Sequence, residues 1–274
     1  MWTQVHEAQQ VGSGPRSQNI FLQPQSLALF RALAFSKTRL SPFASIVGFL
    51  SALLHSAVLA LMMYAIFDTR LGANVPHYSL YILVGVSVVS YFNRSCTAAL
   101  EGFTGHRNLL LNSTVSRAAV LGAPLVIPVC KFTGEMLVYA GLCAYSMPSE
   151  MGRIWALSFF VPAMVMLAWG VGVALCLLNC FVSDLPYVWG VVSRVLFFAT
   201  PIFYEPMDTS GQVYWFVYWV NPLTPFVAGM RAALLGRGGL DSSLCAHVAF
   251  IGIGALILGL GLLSRFSDAA VERV

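Results

Sequence analysis

The sequence predicts an all-α integral membrane protein with six transmembrane helices, an amphipathic interfacial helix near the N-terminus and a re-entrant segment between spans 5 and 6. Three observations support this fold class. Of the 274 residues, 58% are hydrophobic and only 9% are charged, whereas soluble domains carry about 25% charge. Six apolar blocks have the lengths expected of helices in a bilayer core of about 30 Å. An aromatic stretch between the last two blocks contains an Asn-Pro-Leu-Thr-Pro break.

Composition and motifs also exclude several classes of protein. The net charge of +4 comes from scattered cations, so no nucleic acid partner is expected. No GxxxxGK[ST] motif occurs, so the chain itself does not bind ATP through a P-loop. The six cysteines lie in or beside apolar runs and form no CxxC pair, and no histidine lies near Cys176 and Cys180, which share a helix face. We interpret them as small buried hydrophobic residues, and we predict no metal site.

The N-terminal region divides into a tail and a short helix. Residues 1–22 have no hydrophobic periodicity and contain a Gly-Ser-Gly-Pro run, so we predict a flexible cytoplasmic tail. Between residues 24 and 40, leucines and phenylalanines alternate with Arg31, Lys37 and Arg39. This pattern is typical of a basic amphipathic helix that lies in the membrane interface. A membrane-proximal extension of the first span is the alternative interpretation.

The transmembrane domain is predicted over residues 23–270. Its six spans are 45–67, 80–100, 118–145, 154–182, 187–203 and 246–263. Residues 204–239 form the predicted extracytoplasmic re-entrant region, because their aromatic run is too short to cross the bilayer again. Non-helical backbone at membrane depth occurs only beside protein or water. The region is therefore predicted to line a passage at one membrane face.

The distribution of Lys and Arg predicts the orientation of the spans. With six spans, most cations fall on the side of the two termini and of the loop between spans 2 and 3. These cations are Arg16, Arg31, Lys37, Arg39, Arg107, Arg117, Arg265 and Arg273, against Arg70, Arg153, Arg231 and Arg237 on the other side. Both termini, the loop between spans 2 and 3, and Asp184 are therefore predicted to face the cytoplasm.

Charged side chains also fall inside the predicted spans. Lys131 and Glu135 are four residues apart in span 3, so they share a helix face and can pair. Arg194 lies in span 5, and Arg94 in span 2 is expected to face protein or water. An intramembrane charge is a functional hypothesis by default, while a pair that fixes helix packing is the alternative. The sequence leaves open which of Lys131, Glu135 and Arg194 pair.

Glycines in two spans predict close helix packing, because they let backbones approach each other. The glycines concerned are Gly170 and Gly172 in span 4, and the pairs Gly252/Gly259 and Gly254/Gly261, each seven residues apart, in span 6.

Three motifs in fixed order carry a resemblance to a known family. Ser183-Asp184-Leu185 precedes span 5, the span ends in Thr200-Pro201-Ile202-Phe203-Tyr204, and Asn221-Pro222-Leu223-Thr224-Pro225 follows, with Arg231 shortly after it. In this arrangement the chain resembles the ABC-2 type permeases that export polysaccharides such as O-antigen, capsule and teichoic acid. The likeness covers about residues 24–270. Two features depart from the family pattern: Ser183 replaces the usual arginine, and the loop between spans 2 and 3 lacks a Phe-Pro-Arg-like stretch.

The resemblance implies a permease subunit that catalyses no reaction and holds no cofactor. Two copies would form a homodimer around a channel in the bacterial inner (plasma) membrane. Each copy would dock a separate cytoplasmic ATPase, which binds ATP and Mg, and the cargo would be a lipid-linked glycan. The re-entrant motif would comprise Asn221, Pro222, Pro225 and Arg231. The residues that couple the chain to the ATPase would be Glu101, His106, Arg107 and Asp184.

Aromatic side chains suit a passage for a sugar polymer, because a sugar can slide over an aromatic face without specific contacts. The candidates for lining the channel are Tyr81, Tyr91, Phe92, Phe198, Phe203, Tyr204, Trp215, Tyr218 and Trp219. Tyr and Trp also collect at membrane interfaces, so about half of this set is expected to form an interfacial belt.

Three other functions stay open at this point. An ABC-2 permease for a drug or a lipid would have the same fold. An intramembrane enzyme would need clustered acidic or histidine residues, but the acids are dispersed and the five histidines never cluster in the sequence. An ion channel or ion-coupled carrier could use the charges of spans 3 and 5, but no internal inverted repeat is visible.

Overall fold

The computed structural model describes residues 50–65 apart from 52, 60, 63 and 64, and then 77–103, 105, 117–203 and 218–273. Within these ranges the regular structure is helical and contains no strand, which confirms the predicted all-α class. Helical residues between 50 and 65 form α1. The helices that follow are α2 (Tyr78–Leu100), α3 (Arg117–Ser146), a 3-10 helix (Pro148–Ala156), α4 (Leu157–Asn179), α5 (Leu185–Ala199), α6 (Leu223–Leu235) and α7 (Ser242–Val271).

The chain is a membrane protein with helices of two length classes. Among the described residues, three segments are long and apolar enough to cross a bilayer: Val120–Ser146, Gly152–Asn179 and Ser242–Val271. By contrast, α5 and α6 have 15 and 13 residues, so each is at most about 22 Å long, less than a bilayer core of about 30 Å. The predicted interfacial helix at 24–40, the tail before it and residues 204–217 lie outside the described residues.

Prolines explain where α5 begins and ends. Pro186 lies in the first turn of α5, where a missing N–H removes no helical hydrogen bond. At the other end, Pro201 disfavours helical geometry for the residue before it, and Thr200 is extended with φ −80° and ψ 134°. The helix therefore ends at Ala199, earlier than the predicted end of span 5 at residue 203.

Glycines let α7 pack tightly against α4. A Cβ added to Gly259 would lie 2.6 Å from the carbonyl oxygen of Gly170, and one on Gly252 would lie 2.8 Å from that of Ala163. These contacts confirm the predicted close approach. From one contact to the other, the residue number rises by seven on α4, from 163 to 170, and by seven on α7, from 252 to 259. The two helices therefore run in the same direction.

The other glycines separate into a packed and an open class. A Cβ on Gly172 would lie 2.9 Å from the Cβ of Ala99, so α4 also approaches α2 closely. Gly254 and Gly261 have no described heavy atom within 4 Å of an added Cβ. The predicted second packing patch of span 6 therefore meets no neighbour in the part of the chain that the structure describes.

Hydrogen bonds along α2 show how the remaining helices are oriented. Ser87 bonds to Tyr139, and Arg94 bonds to Glu135. The residue number thus rises on α2 while it falls on α3, so the two helices are antiparallel. At the end of α2 the amide of Asn179 donates to the carbonyl of Leu100, so α2 and α4 end side by side. Because α2, α4 and α7 share one direction, the chain must return across the bundle between α4 and α7, where α5 and α6 lie.

Two clusters of buried apolar side chains form the core. The larger one surrounds α2 and includes Tyr81, Phe132, Met164 and Phe226. The smaller one joins the turn after α2 to the beginning of α3 and the last turns of α4 and α7, and it includes Phe103, Leu121, Cys176 and Leu263. The larger cluster holds α6 against the beginning of α2, and this contact positions the site described next.

Candidate functional site

The motifs on either side of residues 204–217 meet in one buried polar cluster. We call it the Arg231 cluster and define it as the side chains of Tyr78, Tyr81, Thr200, Asn221 and Arg231 with the backbone of residues 201–203. It joins the beginning of α2, the end of α5 and the whole of α6. Hydrogen bonds from side chains to backbone carbonyls and to each other hold the cluster together.

Arg231 is the centre of the cluster. Its side chain is on α6 and the residue is only 4% exposed. Nη1 donates to the carbonyl oxygen of Pro201 at 2.8 Å, Nη2 donates to that of Ile202 at 2.7 Å, and Nε donates to that of Tyr81 at 3.1 Å. The guanidinium carbon also lies 3.4 Å from the centroid of the Tyr81 ring, a cation–π contact. The planar fork of an arginine, with its five donors, is suited to several acceptors at once.

The acceptors of Arg231 follow from the way α5 ends. The last carbonyls of a helix and those just after it have no intrahelical donor. Pro201 prevents the helix from continuing, so the carbonyls of Pro201 and Ile202 are available to the guanidinium. Placing a positive charge there is also favourable because the C-terminal end of a helix carries partial negative charge.

Gly85 leaves the space that Arg231 occupies on α2. A Cβ added to Gly85 would lie 2.7 Å from Nη2 of Arg231 and 3.1 Å from a methyl carbon of Ile202. Any larger residue would displace the guanidinium. Sequence reasoning missed Gly85, because a single glycine inside an apolar helix carries no local signal of a distant arginine.

Asn221 and Thr200 form the second half of the cluster. The amide nitrogen of Asn221 donates to Oγ1 of Thr200 at 2.9 Å, and its amide oxygen accepts from the backbone N–H of Leu223 at 3.0 Å. The Thr200 hydroxyl in turn donates to the carbonyl of Leu196 at 2.7 Å. Asn221 therefore closes the first turn of α6 and ties it to the last turn of α5.

Substitution of Asn221 should separate these two tasks. We expect Asn221→Ala to lower the free energy of unfolding by about 1–3 kcal/mol, because the buried N–H of Leu223 loses its side-chain acceptor and the bond to Thr200 is lost. Asn221→Asp keeps the acceptor for Leu223 but removes the donor to Thr200. Thermal unfolding in detergent would measure both. If the two variants melt as the wild type does, this bond network does not stabilise the α5–α6 junction.

Tyr78 completes the attachment of the segment after α5. Its hydroxyl donates to the carbonyl of Phe203 at 2.7 Å, and its ring stacks near that of Tyr81, with centroids 6.2 Å apart. Sequence reasoning missed Tyr78 and placed Tyr81 among the channel residues. The spacing of the two tyrosines by three residues on one helix face was the signal that could have joined them.

The prolines of the re-entrant motif begin a helix rather than break one. Pro222 immediately precedes α6 with φ −64° and ψ −18°, and Pro225 lies in its first turn. At these positions a proline removes no intrahelical hydrogen bond. The predicted motif residues Asn221, Pro222, Pro225 and Arg231 thus lie at the start and in the interior of one short helix.

The predicted channel residues separate by exposure. Tyr91 is 2% exposed and stacks on Phe132 with centroids 4.3 Å apart, and Phe92 lies against Trp189. Phe203 is also buried, so these three aromatics belong to the core of the chain. Phe198 and Trp219 are 68% and 55% exposed, and Tyr218 is partly buried. Tyr204 and Trp215 lie outside the described residues.

The predicted coupling residues are placed only in part. Glu101, at the end of α2, and Asp184, just before α5, are both exposed. The bond between Asn179 and Leu100 brings the end of α4 beside the end of α2, so both acids belong to the same end of the bundle. His106 and Arg107 lie outside the described residues.

The charges inside the spans form a pair that the sequence did not predict. Glu135 is 1% exposed and accepts a hydrogen bond from Arg94 at 3.3 Å. Arg94 was expected only to face protein or water, so the structure assigns it a partner. Arg194 is exposed on α5. Among the described residues, no group of three or more His, Cys, Asp and Glu side chains is arranged to hold a metal ion.

Known proteins resemble this chain along most of its length. Two proteins from Klebsiella pneumoniae, each named "O-antigen export system permease protein RfbA", are 21% identical to it over 229 residues, which is 83% of this chain and 88% of each relative. The resemblance to ABC-2 type polysaccharide-exporter permeases is confirmed. No family model matches the chain.

Proposed function

We propose that this chain is the membrane-spanning permease subunit of an ATP-driven exporter that moves a lipid-linked polysaccharide across the bacterial inner membrane. The observation that carries the proposal is the similarity to relatives named O-antigen export permeases over 83% of the chain. In this proposal both termini face the cytoplasm, and ATP and Mg bind to a separate ATPase chain.

The Arg231 cluster supports a passage beside α5 and α6. Both helices are too short to cross the bilayer alone, and irregular backbone at membrane depth requires protein or water around it. Arg231, Asn221 and Tyr78 satisfy the backbone groups of residues 201–203 and the start of α6. We infer that the cluster holds the re-entrant region rigidly at the outer mouth while cargo passes.

One face of α5 supports a second copy of the chain as partner. Tyr187, Val191, Val195 and Phe198 are exposed at helical spacing, and Arg194 is exposed beside them, whereas Trp189 on another face is buried. An arginine that faces lipid at the helix centre costs about 2.5–3.5 kcal/mol. We therefore propose that this face of α5 lies against the second copy and the passage between them, with Phe198 and Trp219 lining the route.

The common end of α2 and α4 supports the predicted contact with the ATPase. Glu101 and Asp184 are exposed there, and Phe103 next to them is packed in the smaller apolar cluster with α4 and α7. Force applied to the loop between α2 and α3 would therefore reach two long helices through direct packing. His106 and Arg107 in that loop are proposed to make charge contacts with the ATPase.

Co-purification tests the proposal. The chain, carrying a tag, is expressed with the ATPase encoded beside it, purified into lipid and assayed for ATP hydrolysis and for export of a lipid-linked glycan. We expect a complex with two copies of each subunit, and we expect Arg107→Ala to reduce export per ATP hydrolysed because it removes a coupling contact. Arg265→Ala, an exposed arginine at the end of α7, is the matched control.

Two results would contradict the proposal. A tagged chain that purifies without an ATPase would exclude an ABC permease. A complex that hydrolyses ATP but moves a lipid or a drug, and no glycan, would keep the transporter and overturn the cargo.

A further inference from the structure

A buried polar network joins three helices at membrane depth. Nη1 of Arg94 on α2 donates to Oε1 of Glu135 on α3 at 3.3 Å, and Nη2 donates to the hydroxyl of Ser56 on α1 at 3.4 Å, the long end of the hydrogen-bond range. Glu135 and Ser56 are almost fully buried, while the side chain of Arg94 is 30% exposed. The two terminal nitrogens of Arg94 therefore bond to two different helices, α3 and α1.

The geometry of α2 and α3 explains why these residues meet. Side chains on a helix lean toward its N-terminal end. Because the two helices are antiparallel, Arg94 leans along α2 toward Ser87, and Glu135 leans along α3 in the opposite sense, toward Arg94. Ser87 and Tyr139 form a second cross-link between the same helices, with their oxygens 2.8 Å apart. The α2–α3 pair is therefore bonded twice.

The attachment of α1 is much weaker. Four of its described apolar side chains are largely exposed: Leu50, Leu54, Leu61 and Met62. Leu53 and Leu59 pack partly against the core, and Ser56 between them is fully buried. The hydroxyl of Ser56 links α1 to both helices of the pair, because it accepts from Arg94 on α2 at 3.4 Å and also hydrogen-bonds Tyr139 on α3.

We propose that Arg94 is a positioning residue that couples α1 to the α2–α3 pair, so that movement of α1 is passed to the transport pathway through its guanidinium. This inference rests on the proposed function, because α1 comes after the basic segment 24–40 in the sequence, which was predicted to lie in the membrane interface. The role of Glu135 is to hold Arg94 in place and to neutralise it. The role of Ser56 is to accept the hydrogen bond from the other terminal nitrogen of Arg94.

An arginine suits this role better than a lysine. The guanidinium presents donors in two fixed directions, whereas an ammonium is a compact point charge. Arg94→Lys is therefore expected to keep the pairing with Glu135 and to lose the simultaneous contact with Ser56. Near-normal protein levels with impaired coupling would distinguish a positioning role from a purely structural one.

Ser56→Ala removes one oxygen and leaves the Arg94–Glu135 pair intact, and the Tyr139 hydroxyl, which also bonds Ser56, keeps Ser87 as a partner. In the complex with its ATPase in lipid, we expect the variant to fold normally and to lower export per ATP hydrolysed about threefold, the effect of one hydrogen bond. Ser51→Ala, on the exposed face of the same helix, is the matched control and should export as the wild type does.

A double variant tests the pair without stranding a buried charge. Arg94→Met with Glu135→Leu replaces both partners by apolar groups of similar size, a change that folded proteins often tolerate. We expect normal melting and about a tenfold loss of export per ATP. If Ser56→Ala, Arg94→Lys and the double variant all keep wild-type export per ATP, Arg94 has no positioning role.

A spectroscopic measurement separates this inference from the proposed function. Spin labels at positions 54 and 137, both exposed on α1 and α3, report the distance between these helices in a cysteine-free background diluted with unlabelled subunit. Ser56→Ala should broaden that distance distribution, and Ser51→Ala should not. An unchanged distribution would overturn the coupling of α1, whereas a broadened one in a chain without ATP-driven export would overturn the proposed function alone.

Discussion

Replacement of Arg231 by methionine is expected to abolish export and to lower the free energy of unfolding by about 3–5 kcal/mol, the usual effect of leaving buried partners of a charged group unpaired. The variant keeps the length of the side chain but removes the donors to the carbonyls of Tyr81, Pro201 and Ile202. Thermal unfolding of the purified chain and glycan export by cells would measure the two effects.

Two further variants make the Arg231 result interpretable. Arg231→Lys retains the positive charge but cannot address three carbonyls with one planar fork, so we expect it to recover only part of the stability. Arg265→Met changes an exposed arginine of α7 and should leave melting and export unchanged. Wild-type melting of Arg231→Met would show that the cluster does not hold the end of α5.

Substitution of Gly259 by leucine should produce the second large effect. An added Cβ would lie 2.6 Å from a backbone carbonyl oxygen and 2.8 Å from the Cα of Gly170, and backbone atoms cannot move aside as a flexible side chain can. Helices α4 and α7 would have to separate along their contact. We expect the free energy of unfolding to fall by more than the usual cost of overpacking, which is about 1–3 kcal/mol. The melting temperature and the yield of folded protein would report this loss of stability.

Gly261→Leu is the matched control for this prediction. It makes the same chemical change two residues later on the same helix, where no described atom lies within 4 Å. The free energy of unfolding of the control should differ from that of the wild type by only about a few tenths of a kcal/mol, as it does for substitutions away from packed contacts. Equal losses for both variants would mean that leucine disturbs α7 itself and not its packing on α4.

Local sequence patterns predicted the helices well, because apolar blocks and prolines act within one segment. The described helices overlap the predicted spans, but α5 ends at Ala199 and not at residue 203, and α7 runs from Ser242 to Val271, beyond both ends of the predicted span 246–263. The all-α class, the membrane location and the packed glycines of spans 4 and 6 followed from composition and spacing. The count of six spans stays a prediction.

Partners distant in the sequence could not be predicted in this way. The motif residues 200–204 and 221–231 were recognised as a set, but no pattern connects Arg231 to Tyr81, which lies 150 residues earlier. Likewise, the spacing of Lys131 and Glu135 suggested a pair within one helix, whereas the structure pairs Glu135 with Arg94 of a neighbouring helix. Each pairing depends on which helices pack together and in which register.

Burial within the protomer was the other property that the sequence left open. The sequence of an apolar span does not show whether an aromatic side chain faces the core, lipid or a passage. Tyr91, Phe92 and Phe203 pack inside the protomer, and Phe198 lies on its surface. Only the position of neighbouring helices distinguishes these cases.

The contacts of Arg231 also constrain how the chain is assembled during synthesis. A helix as short as α6 with an arginine in its interior is a poor substrate for independent insertion, since that charge at the bilayer centre costs about 2.5–3.5 kcal/mol. Every hydrogen-bond acceptor described for this guanidinium comes from residues made earlier, at positions 81, 201 and 202. When α6 is synthesised, the beginning of α2 and the end of α5, which provide these acceptors, are therefore already present. A truncated chain that lacks α2 should leave α6 outside the bilayer, and a glycosylation-tag assay of its topology would detect this.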